Sequence, residues 1–260
     1  MRILLPPSET KRLGGRLPFS PDDLFLGERL AAPRAAVKSA LKRVSADEAA
    51  ATKALKLGVK NREERLRNLD LDASGAMPAI ERYTGVLYDA LDTETLAPAA
   101  LAWLSDHVFV QSALFGLVRG GDPIPAYRVS ASSRLPELGS PLAKLWAGPH
   151  EGALTEADYV LDLRSKDYAA LAPLGALGAS RTDYLEVVAR SDDGEVRALN
   201  HFNKAAKGDL VRRVAESAPA ISSRADFLEW AREAGLEIGE GADPAVLRLV
   251  TLQGVPAASR

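Results

Sequence analysis

Hydrophobic and polar positions follow one another in short blocks, some with the period of a helix and others with that of a buried strand. Arg2 to Leu5 is typical of a short buried strand that ends at Pro6. From Ile80 to Leu91 the apolar spacing is i, i+3, i+4, i+7, i+8, i+11, which predicts one amphipathic helix. Further strands are predicted at 108–112, 127–130, 159–163, 184–189, 196–201 and 246–252, and further helices at 35–57, 62–71, 94–104, 141–146, 204–218 and 224–234.

These elements do not alternate in the strict strand–helix–strand order of a doubly wound sheet. No repeat, low-complexity tract or long Gly/Ser linker divides the chain. We therefore expect one mixed α/β domain over residues 1–260, with a mixed central sheet surrounded by helices.

Composition excludes several classes of protein. The chain is 47% apolar and 26% charged, as in an ordinary globular protein. No stretch approaches the ~20 consecutive apolar residues that cross a bilayer, and no signal-peptide pattern precedes Pro6. We therefore expect a cytoplasmic location and no membrane partner. The chain contains no cysteine, which excludes disulfides, thiolate metal ligands and cysteine nucleophiles.

Familiar signatures of catalytic and cofactor sites are missing. No Gly-Lys dipeptide occurs, which excludes a Walker A loop, and G-x-G-x-x-G, G-x-S-x-G and H-E-x-x-H are also absent. The histidines, His107, His150 and His201, are scattered, so a metal site would have to be assembled from three distant segments. We expect neither a metal nor a cofactor, and the sequence assigns no catalytic residue.

Positive charge is concentrated at the front of a chain whose net charge is -2. Residues 1–70 carry 15 basic and 9 acidic side chains, and six of the basic ones surround the turn at 57–59. A glycine-permitted turn between two helices can point backbone N–H groups at a phosphate, as in a helix-hairpin-helix. The same pattern also fits a helix that ends at Gly58 and is followed by a solvated charged helix.

In the first interpretation, residues 45–71 form a helix-hairpin-helix that contacts nucleic-acid phosphates. Such contacts are independent of base sequence and weaken with salt. No aromatic residue lies in the segment, so base stacking is not expected. The candidate phosphate contacts are Lys53, Lys56, Gly58, Lys60, Arg62 and Arg65.

A second set of polar residues lies at the ends of predicted strands and helices, where α/β proteins often place their sites. Arg119 and Arg128 flank Asp122, an arrangement that either clamps an anion or braces a long loop. Two lysines in the first turn of a helix, at 204 and 207, oppose the helix dipole unless an anion lies there. Asn203 is suited to cap that helix.

We expect these residues to converge on one anion-binding cleft. The predicted members are Ser8, Lys11, Arg119, Asp122, Tyr127, Arg128, Lys166, Tyr168, Asn203, Lys204 and Lys207.

Five ordered blocks resemble the YaaA family of bacterial peroxide-stress proteins. They are 3–11 (Ile-Leu-Leu-Pro-Pro-Ser-Glu-Thr-Lys), 83–91 (Tyr-Thr-Gly-Val-Leu-Tyr-Asp-Ala-Leu), 112–119 with 122–128, 161–168 and 202–208. Two blocks depart from the family pattern: the usual Ser-Pro-Ala-Lys is Pro-Pro-Ser-Glu-Thr-Lys here, and the usual Lys-Lys-Ala-Arg is Asn-Lys-Ala-Ala-Lys. The chain thus resembles a divergent branch.

The resemblance implies a cytoplasmic protein that limits oxidative damage under peroxide stress, partly by lowering free iron. It also implies a mixed α/β fold peculiar to the family, with a helix-hairpin-helix near 57–59 and a positively charged cleft that binds double-stranded or distorted DNA. Two functions stay open: a DNA-binding protection protein, and an enzyme acting on a nucleotide or other phosphorylated small molecule. A duplex needs a long basic face, whereas a metabolite needs an enclosed pocket.

Overall fold

A computed structural model describes residues 1–178, 180–190, 196–198, 202–252 and 255–256. Within these residues the main sheet contains β1 (Arg2–Leu5), β3 (Val108–Ser112), β4 (Gly116–Arg119), β6 (Val160–Asp162), β7 (Thr182–Arg190), β8 (Val196–Ala198), β9 (Ile238–Glu240), β10 (Val246–Leu252) and β11 (Val255–Pro256). A separate two-stranded sheet pairs β2 (Met77–Pro78) with β5 (Pro123–Ile124).

The main sheet is mostly parallel. Its strand order is β11-β10-β7-β6-β1-β3-β4, with β8 paired to β7 and β9 to β10. The five strands from β10 to β3 run parallel to one another, whereas β4 and β11 are antiparallel edge strands. The predicted mixed α/β class and mixed central sheet are confirmed.

Helices flank this sheet. They are α1 (Gly27–Ala46), α2 (Glu48–Ala54), α3 (Ala79–Arg82), α4 (Val86–Leu91), α5 (Pro98–His107), α6 (Leu142–His150), α7 (Lys166–Ala169), α8 (Phe202–Ser217) and α9 (Arg224–Glu233). Short 3-10 segments lie at Pro21–Asp23, Val59–Asn68, Thr93–Thr95, Pro136–Leu138 and Gly175–Leu177. None of the helices among the described residues is long and apolar enough to span a bilayer.

The central strand β1 contributes to the core on both faces of the sheet. Ile3 and Leu5 are fully buried in the main hydrophobic cluster. Leu4 points to the other face, where it joins a smaller cluster with Phe109 and Val160. Such continuous burial is typical of a parallel strand covered on both sides, and it explains why an unbroken apolar run predicted this strand correctly.

The helix predicted from Ile80 to Leu91 is interrupted. α3 ends at Arg82, Tyr83 is extended, and Gly85 has φ +96° before α4 begins. At the break, Tyr83 forms a β-bridge with Lys11. The helical spacing misled because the apolar side chains on both sides of the break still face one core.

Residues 45–71 also differ from the prediction, and a helix-hairpin-helix is not shown there. α1 ends at Ala46, Asp47 caps α2, and the segment after the turn is a 3-10 helix kinked at Asn61. The turn residue in the left-handed region is Lys56 (φ 54°), whereas Gly58 has φ -83°. The glycine is therefore not required by the backbone conformation of this turn.

Other boundaries shifted in smaller ways. The predicted strand at 127–130 is irregular chain, and two strands that were not predicted, β4 and β5, precede it. The helix expected at 94–104 begins at Pro98, after a 3-10 turn. Of the strand predicted at 196–201, residues 199–201 lie outside the described residues.

Two buried arginines hold distant loops through backbone carbonyls. Arg82 is fully buried and donates to the carbonyl oxygens of Arg12 (2.6 Å), Gly14 (2.8 Å), Gly75 (2.9 Å) and Ile124 (3.0 Å). Its burial lowers the pKa of the guanidinium to about 10. Arg34 likewise donates to four carbonyl oxygens, those of Pro21, Phe25, Phe115 and Leu117.

We predict that Arg82→Met lowers the free energy of unfolding by ~3 kcal/mol, because four backbone carbonyls, from three separate segments, lose the fully buried charged donor that joins them. Arg12→Met is the matched control, since Arg12 is exposed and pairs with exposed Glu94. Such surface pairs contribute ~0–1 kcal/mol. Urea unfolding of the two variants measures the difference, and an equal, small loss in both would contradict this role for Arg82.

Candidate functional site

A cavity of about 480 Å³ opens at the carboxyl ends of β1 and β6. In open α/β sheets this edge is where ligands usually bind, because the loops after neighbouring parallel strands meet there. The cavity is lined by Pro6, Pro7, Ser8, Glu9, Thr10, Thr84, Gly85, Val86, Leu87, Tyr88, Ser130, Ala131, Ser132, Ser165, Asp167, Tyr168 and Lys204. We call it the cleft.

One wall of the cleft is the loop at 6–10, which follows β1 directly. The Tyr88 hydroxyl donates to the Pro6 carbonyl (2.8 Å), and the Thr10 hydroxyl donates to the Thr84 carbonyl (3.3 Å). A Cβ atom at Gly85 would lie 3.3 Å from the Ser8 Oγ. Glycine at the break between α3 and α4 therefore lets this loop pack closely against the start of α4.

The opposite wall joins residues 130–132 to the segment after β6. The backbone N–H of Ala131 donates to the Tyr168 hydroxyl (3.3 Å), and the Ser130 and Ser132 hydroxyl oxygens lie 3.3 Å apart. Arg164 forms a two-pronged pair with Asp162 (2.7 and 2.9 Å), both buried, which fixes the chain just before Ser165. Hydroxyl groups thus face the cleft from both walls.

The charged side chains that line the cleft are of both signs. They are Glu9, Asp167 and Lys204. The Glu9 carboxylate pairs with the buried Arg128, which also pairs with Glu64 (2.9 Å). Among the residues that the structure describes, the lining is therefore not the continuous positive surface that the resemblance implied.

Directly beneath the first wall lies the ammonium group of Lys11. Lys11 is only 6% exposed, and its Nζ donates to the carbonyl oxygens of Ser8 (2.8 Å) and Glu9 (3.1 Å). The same Nζ lies 4.1 Å from the centre of the Tyr127 ring and 5.3 Å from that of Tyr83. Burial, with a smaller contribution from the neighbouring Arg128, lowers the pKa of Lys11 to about 7.

Several of the predicted residues meet at or near this cleft. Ser8, Tyr168 and Lys204 line it, and Arg128 reaches it through Glu9. Tyr127 is buried beneath, where its hydroxyl lies 2.8 Å from those of Tyr83 and Ser112.

Three further predicted residues lie beside the cleft rather than on its surface. Lys166 is the exposed first residue of α7, between two lining residues. Asn203 lies inside α8, not before it, and its buried Oδ1 has no hydrogen-bond partner among the described residues. Lys207 is buried and donates to the Leu163 carbonyl (3.0 Å); burial lowers its pKa to about 8.

Arg119 and Asp122 are not part of this arrangement. Arg119 pairs with Phe109 at the amino end of β3, so it lies at the opposite edge of the sheet from the cleft. The Asp122 carboxylate accepts from the backbone N–H groups of Arg119 (3.0 Å) and Phe25 (2.8 Å). The Asp122 carboxylate thus braces a loop through backbone N–H groups, whereas the Arg119 guanidinium lies 4.9 Å from the centre of the Phe25 ring.

The predicted phosphate contacts at 53–65 lie on a different surface from the cleft lining. Lys53, Lys56 and Lys60 are exposed beside Val59, which is itself 79% exposed. Arg62 is exposed, and half-buried Arg65 donates to the Ser45 carbonyl (2.9 Å). Gly58 lies in the turn between Lys56 and Lys60, directly before the 3-10 segment.

The lining residues that sequence reasoning missed include five serines and threonines. Thr10, Thr84, Ser130, Ser132 and Ser165 have no conspicuous motif. One usable signal was position, since Ser165 follows the end of β6 by three residues. Among the described residues, no group of three or more His, Asp or Glu side chains could hold a metal ion; His201 lies outside them.

Comparison with known proteins shows the family to which the chain belongs. Residues 1–240 match the family described as "Peroxide stress protein YaaA". The chain is 39% identical over 243 residues to the UPF0246 protein SCO2297 of Streptomyces coelicolor (92% of each chain), and 40% identical over 248 residues to the UPF0246 protein CE1889 of Corynebacterium efficiens (93% of this chain, 96% of the relative). The resemblance read from the five blocks is confirmed, and the chain belongs to the YaaA family of peroxide stress proteins.

Proposed function

We propose that this protein contributes to the response to peroxide by binding a small phosphorylated molecule in the cleft. The observation that carries the proposal is the partly open cavity of about 480 Å³, bounded by two walls, at the carboxyl edge of the parallel strands. A pocket of this size suits a metabolite, whereas a duplex requires a long continuous basic face.

The chemistry of the walls supports a phosphate ligand. Hydroxyls from Ser8, Ser130 and Ser165 supply neutral hydrogen-bond donors, and Lys204 supplies a charged one. Of the two carboxylates in the described lining, Glu9 does not oppose an anion at full strength, because Arg128 neutralises it. Asp167 is the negative group that Lys204 and the hydroxyls must outweigh. The ammonium of Lys11 adds positive charge directly behind the wall that carries Ser8 and Glu9.

Adenosine monophosphate (AMP) is a suitable probe, since it combines a phosphate monoester with ribose hydroxyls. We predict that AMP raises the melting temperature of the parent protein, because a ligand that binds only the folded state stabilises it by ~2.7 kcal/mol at 100-fold excess over Kd. Lys204→Met should lose most of this increase. Lys144→Met is the matched control, because Lys144 is equally an exposed helical lysine but lies outside the cleft lining.

The melting temperatures of the parent, Lys204→Met and Lys144→Met are measured with and without AMP, with circular dichroism as the signal. A parent that does not respond to AMP, or a Lys204→Met variant that responds as the parent does, would overturn the proposal. The same two variants can be compared in cells from which the chromosomal gene for this protein has been deleted. We expect that expression of Lys144→Met restores survival of hydrogen peroxide and that expression of Lys204→Met does not.

Duplex binding is a second candidate, and one observation favours it. Lys53, Lys56 and Lys60 lie close together in sequence, are exposed, and form no ion pair with any residue that the structure describes. Such a cluster suits phosphate contacts without sequence preference. Nearby Arg62 is less available, because it lies 3.6 Å from the carboxylate of Glu48.

We predict that changing Lys53, Lys56 and Lys60 together to Glu weakens duplex binding and flattens its salt dependence, by ~0.9 in log–log slope per lost phosphate contact. The control changes Arg16, Lys144 and Arg232 to Glu, which alters net charge equally at exposed positions elsewhere. Fluorescence anisotropy at several salt concentrations measures both. Equal effects of the two triple variants would show that only bulk charge matters and would eliminate this surface.

A further inference from the structure

We propose that Lys11 couples the cleft to protons: binding of a phosphorylated ligand in the cleft is accompanied by uptake of one proton on the Lys11 amine. This inference rests on the proposed function and names a regulation of the same site, namely that the bound anion and a buried ammonium stabilise each other. It assigns Lys11 a role that differs from direct contact with the ligand.

The position of Lys11 makes it sensitive to the cleft. Within the described part of the chain, its Nζ bonds only to oxygens of the wall, the carbonyls of Ser8 (2.8 Å) and Glu9 (3.1 Å), and both of those residues line the cavity. The rings of Tyr127 and Tyr83 cover it from the protein side. An anion in the cleft would therefore act on this amine across a single layer of backbone, where low polarity strengthens the interaction.

The charges around Lys11 leave it without a carboxylate of its own. Among the described residues, the charged groups that act on it are Arg128, Arg67, Glu64 and Glu9. Arg128 pairs with both carboxylates, and Arg67 lies 3.4 Å from Glu64. The two arginines thus already balance the two glutamates, and a protonated Lys11 adds one uncompensated positive charge.

The uncompensated positive charge of Lys11 can be removed in two ways, by loss of its proton or by a bound anion. In the empty cleft the amine loses its proton near neutral pH, because burial lowers its pKa to about 7. A phosphate in the cleft supplies the missing negative charge and raises the pKa again. A neutral amine still has two N–H groups for the same two carbonyls, so the wall keeps its shape and the coupling is electrostatic.

The sign of the pH dependence follows from this linkage. Well below pH 7 Lys11 is protonated with or without ligand, so binding takes up no proton there. Above pH 7 the free site is neutral and the bound site is charged, so binding takes up a proton and affinity falls as pH rises, by up to about tenfold per pH unit. A phosphate monoester with a second pKa of about 6 is already dianionic at pH 8 and does not contribute.

Isothermal titration calorimetry with AMP at pH 8, in two buffers of different ionisation enthalpy, counts the protons directly. We expect uptake approaching one proton per AMP in the parent protein and none in Lys11→Met. Lys207→Met is the matched control and should keep the uptake, because Lys207 is also a buried lysine of lowered pKa bound to a carbonyl, but it does not line the cleft.

The possible results separate this inference from the proposed function. AMP that fails to bind the parent overturns both. AMP that binds the parent without proton uptake, or whose uptake disappears in Lys207→Met, overturns only the role of Lys11. If Lys11→Met does not fold, the decision rests on the parent and Lys207→Met: uptake that persists in Lys207→Met supports the inference, and uptake lost there contradicts it.

Discussion

The parallel pairing of β1 between β3 and β6 is the constraint from which the arrangement of the site follows. β1 is paired with a strand on each side, and three of its four residues, Ile3, Leu4 and Leu5, are buried on one face or the other, so its direction and register cannot shift without exposing the core. Because the three strands run in the same direction, the loops that follow β1 and β6 emerge at one edge. The cleft is the space between those loops.

Buried cations bonded to carbonyl oxygens keep that space in shape. Arg82 ties the chain at 12–14 to residues 75 and 124, and thereby supports the break before Gly85 that admits the first wall. Lys11 performs a similar task for Ser8 and Glu9. Arg82 and Lys11 differ in whether they can lose their charge. An arginine stays charged at physiological pH even when buried, whereas a buried lysine can lose its proton. The bonds from the Lys11 amine to the carbonyls of Ser8 and Glu9 therefore hold the wall in place and also carry the proposed proton coupling.

The sequence predicted the sheet better than it predicted the site. Buried apolar runs identified β1 and β3 to the residue, because strands covered on both faces leave a nearly continuous apolar pattern. The strand β10, which buries one face more than the other, was also identified to the residue. The helix at 80–91 was wrong because periodicity reports which side chains face the core and is insensitive to a break at Tyr83. Charged residues such as Lys204 drew attention to the cleft, whereas its serines and threonines occur equally often in ordinary turns.

We propose that the carboxyl-edge cleft holds a phosphorylated small molecule. Mass spectrometry can identify what remains bound to the native protein when it is purified at low salt from cells exposed to hydrogen peroxide. We expect a small phosphorus-containing molecule that is retained by the parent and by Lys144→Met but lost from Lys204→Met. Retention of nucleic acid alone, or of the same molecule by all three proteins, would contradict it.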